Sequence, residues 1–149
     1  MQITIVDLDI ASIRTVEKTR AQGCSVHFKC SLVSGSALFV PATHPSNEMK
    51  GRTFWVEIEH ELAEQFAALP STAPHEPALT SLSRPGDFHV VGKISNIVRL
   101  QDSPTLDVLT VTVGDASFTV SSDEIGAAYP IGEWVTFAAR NVSLWDMNL

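Results

Sequence analysis

Polar and apolar residues alternate with period two along most of this chain. From Val26 the apolar side reads Val26, Phe28, Cys30 and Leu32, and the polar side His27, Lys29 and Ser31. That alternation describes a strand with one wet face. Ser34-Gly35 follows and then an apolar run over 37–40, so a hairpin is predicted with its turn at the glycine. Pro41 and Pro45 end its second strand. Phe54, Val56 and Ile58 then alternate with Thr53, Glu57 and Glu59, and Trp55 stands on the otherwise polar side. Residues 3–10 read as a strand, while 12–22 fit either a strand or a helix.

Residues 60–69, HELAEQFAAL, break the alternation. Leu62, Phe66 and Leu69 stand at helical spacing beside Ala63 and Ala67, which predicts a short helix ended by Pro70. The next stretch, 70–86, holds four prolines and no aromatic residue, and reads as a surface connection. Beyond it the strand grammar returns. An apolar parity runs from Phe88 to Leu100, with a bend expected at Gly92. Residues 106–113 and 117–120 flank a Gly114-Asp115 turn. Ser121 stands three residues before Glu124, a capping-box spacing that predicts a short helix near 122–129. Two extended segments, 134–139 and 141–145, close the chain.

The expected fold is mainly β, an antiparallel barrel or sandwich of two meander halves with one or two short helices. Its parts are 1–69, an N-terminal meander plus helix; 70–86, the Pro-rich connection; and 87–149, a barrel half. The order of segments over 86–146 resembles an OB fold: a long first strand, a hairpin, a short helix before the fourth strand, and two closing strands. The halves resemble each other in order. Each has a Gly-containing turn and a later glycine, Gly51 or Gly132, ahead of an aromatic strand. There is little residue identity between them, and β-meanders look alike in any case.

Charge narrows the function classes. Ten Lys and Arg face 17 Asp and Glu, a net charge of −7. Residues 1–75 carry six basic and eight acidic side chains, and 76–149 carry four and nine. A phosphate backbone is repelled by such a field, and no Lys or Arg occurs between Gln101 and Ala139. The strands that would face a nucleic acid in an OB barrel offer Thr110, Thr112, Ser117 and Thr119 instead of basic and aromatic residues. Nucleic acid is therefore not the expected ligand. The densest basic group is Arg14, Lys18 and Arg20. No run of eighteen apolar residues exists, so no membrane helix is expected, and with no secretory leader pattern the expectation is a cytoplasmic protein.

Catalytic and metal patterns are weak. Neither GxSxG, a phosphate loop, GxGxxG nor HExxH occurs. Cys24 and Cys30 share the apolar parity of one strand, ~20 Å apart if it is straight, so they read as core residues rather than a disulfide. If 60–69 were helical, His60 and Glu64 would share a face near Glu57 and Glu59. Helix-start acids on a solvated surface explain that set without a metal. No cofactor, metal or catalytic residue is assigned.

What stands out is an aromatic among acids. Trp55, Glu57 and Glu59 share one strand face, Glu61 and Glu64 continue the charge, and no Lys or Arg lies between Thr53 and Arg84. Such a surface suits a partner protein with a basic surface. The expected function is that of a small acidic binding protein without catalytic activity, an immunity or inhibitor protein covering a basic surface such as the cleft of a toxin. The candidate partner-binding residues are Trp55, Glu57, Glu59, Glu61 and Glu64; the second candidate face holds Trp134 and Trp145 with Asp123, Glu124, Glu133 and Asp146. The alternative is an OB-type module for nucleic acid or a small ligand within a larger assembly.

Overall fold

The computed structural model of the protein describes residues 1–17, 19–102 and 106–148. Among these residues eleven strands form two sheets. The first is a closed five-stranded barrel of β1 (Gln2–Thr15), β2 (Gln22–Lys29), β3 (Ser34–Val40), β4 (Thr53–Glu59) and β11 (Ser143–Asp146), in the order β1-β2-β3-β11-β4. The second is open. Its order is β5 (Leu62–Ala68), β10 (Trp134–Arg140), β7 (Phe88–Arg99), β8 (Asp107–Val113), β9 (Ala116–Ser121), with β6 (Ala78–Ser81) also paired to β7. A 3-10 turn, Asn47–Met49, precedes β4, and one helical turn, α1 (Ser122–Ile125), precedes β10.

Each sheet takes its last strand from the other half of the chain. β3 and β11 pair in parallel and β11 pairs β4 antiparallel, which is how the fifth strand closes an OB barrel. That fifth strand comes from the C-terminal end. In return β5 leaves the first half and pairs with β10 of the second. The closed barrel is thus built by the first half and completed by β11; the second half keeps the OB order but stays open. Consecutive strands usually neighbour one another. Here β4 and β5, and then β10 and β11, cross between sheets in two residues each: His60-Glu61 and Asn141-Val142. A buried contact between Phe28 and Phe88, 6.0 Å between ring centroids, joins the sheets in one apolar core.

Several local expectations change. The segment 60–69 holds the strand β5 rather than a helix, because a bulge reproduces helical spacing. Gln65 takes φ 56°, and three steps of β5 (64 to 67) face two steps of β10 (138 to 136). Ala63 and Phe66 therefore both point inward although three apart. The first hairpin turns at 30–33, closed by Cys30 N–H donating to Val33 O, not at Ser34-Gly35. Gly35 lies within β3, where a Cβ would meet Ser81 Oγ at 2.5 Å and the Phe88 ring at 2.8 Å; it admits the other sheet rather than making a turn. Gly92 does not bend β7. A Cβ there would stand 2.7 Å from Thr112 O, and the irregularity falls between Ile94 and Asn96. The Pro-rich connection contains β6. As expected, Gly114 turns the second hairpin at φ 60°, and Ser121 Oγ accepts from Glu124 N–H at the start of α1, which Gly126 ends in the left-handed region after four residues.

Candidate partner-binding face and groove

Alternation along β4 fixes the face. Val56 and Ile58 are buried, Phe54 is half-buried, and Thr53, Trp55, Glu57 and Glu59 point outward. Trp55 is 50% exposed, a large apolar side chain left in water. On one side Gln2 pairs with it, and on the other Met147 N–H donates to its carbonyl, leaving the exposed Met147 beside it. Trp145 stands opposite Glu57, and Ser143 opposite Glu59. The Trp145 indole N–H donates to Ser143 Oγ at 2.9 Å, which lays the ring along β11.

The other two predicted acids lie elsewhere. Glu61 and Glu64 are past the crossing, and both are engaged: Asn141 Nδ2 donates to Glu61 at 2.6 Å, and Arg140 Nε to Glu64 at 3.0 Å. Arg140 also donates through Nη1 to Asp87, the one charged residue buried among the described residues. Asn141 N–H completes the cradle of that carboxylate. Burial alone would raise the Asp87 carboxyl, but these two donors hold it below the usual carboxylate range. The clasp fastens the second crossing, since Val142 N–H donates to Gly86 O and Gly86 N–H to Ser36 O.

His60 turns inward, its side chain 4% exposed, against Phe118 and Phe137. Its Nε2 lies 3.7 Å from Glu124 Oε1, which also accepts from Ala63 N–H. That carboxylate bridges the gap between β5 and β9 where the second sheet fails to close. Desolvation pushes the imidazole below its ordinary value, and Glu124 only partly opposes this. His60 and Glu64 thus do not share a face, and no cluster of three ligating side chains occurs among the described residues. On the second candidate face, Glu124 is spent in this bridge, and Trp134 is covered by His75 of the Pro-rich segment, 5.9 Å between rings. Cys24 is buried, which raises its thiol, and Cys30 is half-buried; both are free.

A groove of about 1030 Å³ adjoins the β4 face. Its floor is the outer surface of β2, β3 and β11, including Ser25, Leu38, Ser143 and Trp145. One wall is the end of β1 with Arg14, followed by Glu17; the other holds Glu59, the crossings and Arg84. Of the basic group seen in the sequence, Arg14 is here, Arg20 is exposed outside it, and Lys18 lies outside the described residues. Sequence reasoning missed this groove, because it depends on β11 lying between β3 and β4. Beside it, His27 contacts Ser36 Oγ through Nδ1 at 3.2 Å and Ser34 Oγ through Nε2 at 3.1 Å. Asp7 pairs across the strands with His27, but its carboxylate bonds Lys50 at 3.2 Å, so no acid orients the ring as a relay would require.

Compared with known proteins, the chain matches no family model, no curated protein and no solved structure. What is defined is a class of architecture: an all-β protein with a closed OB-order barrel and an open partner sheet that exchange their last strands. Among the described residues no helix is long and apolar enough to cross a membrane.

Proposed function

We propose that this protein works by binding another protein with a basic surface, without catalysing a reaction. One observation carries the reading: Trp55, Glu57 and Glu59 stand at successive outward positions of one strand, with half of Trp55 in water and no cation on that strand. An exposed aromatic in line with two carboxylates has the make-up of an interface anchor with a steering field. Trp145 and Met147 enlarge the apolar centre; Glu61 and Glu64 add to the field while tied to Asn141 and Arg140. An immunity or inhibitor protein, shielding the basic cleft of a toxin in the cytoplasm, is the role that best fits this acidity and size.

The test is reversal of Glu57 and Glu59 to Lys. Association with the captured partner slows and loses its salt dependence if the face is the interface; unchanged kinetics refute it. A second reading, a ligand-binding module of OB type, is favoured by the groove, which lies over the strand-two and strand-three surface that such barrels use for ligands.

A further inference from the structure

We propose that the groove holds an extended segment of the partner with the pattern apolar-x-Arg/Lys; this rests on the protein-binding reading above. The register of four strands carries the argument. Ser25 pairs with Leu38, Leu38 with Ser143, and Ser143 with Glu59. These four form one row across β2, β3, β11 and β4, all on the outer surface and all lining the groove. Strands lie ~4.8 Å apart, so the row is ~14 Å long, the reach of about four extended residues at ~3.3 Å each. Its chemistry changes along that length. Leu38 is the one apolar side chain of the row, Ser25 and Ser143 flank it with short hydroxyls, and Glu59 ends the row.

An extended segment lying across the strands presents side chains i and i+2 to the floor, ~6.6 Å apart. An apolar side chain at i covers Leu38. The next inward side chain stands over Ser143, and the stem of an arginine or lysine there lies along Trp145 and brings its charge to Glu59. β-Strand addition is not the mode of recognition, because β2, β3, β11 and β4 each have a neighbour on both sides. Arg14 and Arg84 also line the groove, which makes an acidic segment the competing occupant.

The probe is the hexapeptide Ac-Leu-Ser-Arg-Leu-Ser-Arg-NH2, titrated into the isotopically labelled full chain, with Ac-Leu-Ser-Glu-Leu-Ser-Glu-NH2 and a neutral oligosaccharide as rivals. The basic peptide shifts the amides of Leu38, Ser143 and Glu59 and the Trp145 indole proton. Glu59→Lys and Leu38→Ser each weaken it by about tenfold or more, while Ile131→Ala, an exposed side chain outside the groove, leaves it unchanged. Amide dispersion shows that each variant is folded. The proposal is overturned if no shifts occur, or if the acidic peptide or the sugar binds at these amides and the basic peptide does not. Shifts confined to Trp55 and Glu57 overturn it too, while leaving the acidic face as the binding surface. Groove binding by the peptide, together with a partner indifferent to charge reversal at Glu57, has the opposite sense: the groove stands and the face does not.

Discussion

Arg140 holds the buried carboxylate of Asp87 through Nη1 at 2.9 Å and, with Nε, the Glu64 carboxylate at 3.0 Å. Asp87 immediately precedes β7, Glu64 lies in β5 and Arg140 ends β10, so one guanidinium ties two strands and the entry to a third beside the point where the chain returns to the barrel. A bidentate cation with no titration near neutrality suits that position. Asp87→Ala leaves Arg140 and the Asn141 N–H without their buried acceptor and is expected to cost about 2 kcal/mol of folding stability. Urea titration measures it. Asp87→Asn, which keeps an acceptor, costs less.

The same carboxylate sets an acid limit. Its folded value lies below the ordinary 3.8, so the unfolded state binds its proton first as pH falls. Its contribution is full above that ordinary value and is lost as pH drops through the folded one. Melts between pH 5 and pH 2.5 are expected to show a steeper loss for the wild type than for Asp87→Asn.

His60 gives a second window. Its folded value is depressed below 6.5 by desolvation, so the unfolded chain takes up the proton more readily. Stability is unaffected by this group at pH 8 and falls as pH drops below about 6.5. His60→Phe, which suits the Phe118 and Phe137 surroundings, is expected to flatten the stability profile between pH 7 and 5. An unchanged slope contradicts the assignment.

Gly92→Ala tests the close approach of β7 and β8. The new methyl stands 2.7 Å from the Thr112 carbonyl, a backbone atom that cannot rotate away. A loss of about 1–3 kcal/mol is expected by denaturant titration, as for other overpacked sites.

Single-stranded DNA or RNA is expected to show no binding at physiological salt in a mobility-shift titration. A net charge of −7 leaves little counterion release to drive it. Micromolar affinity falling steeply with salt would instead locate a basic patch at Arg14, Arg20 and Arg84.

Much of the fold was legible: one-sided burial imposes period two, which gives the strand content and the outward Trp55, Glu57 and Glu59, while turn and cap chemistry mark the Gly114 hairpin and the Ser121 cap. What was not legible came from pairing between distant segments. No local signal marks 62–68 as a strand of the other half's sheet, and the bulge at Gln65 disguised its period. Gly35 and Gly92 looked like punctuation, whereas each yields space to a neighbour that the sequence does not name. The groove exists only because four C-terminal residues insert between β3 and β4, so Leu38 and Ser143 carried no signal. Trp55→Ala makes the legible part testable, with an expected rise of the partner's dissociation rate and no loss of stability, since the ring is half in water.

The most direct test of binding through the β4 face is the rate of association with a captured partner, measured against ionic strength for the wild type and for the Glu57→Lys, Glu59→Lys double variant. Exposed charges contribute little to stability, so the variant folds. Wild-type association is expected to slow steeply as salt rises, and the variant to associate more slowly at low salt with a nearly flat dependence. Superimposable salt profiles for the two proteins would contradict the account.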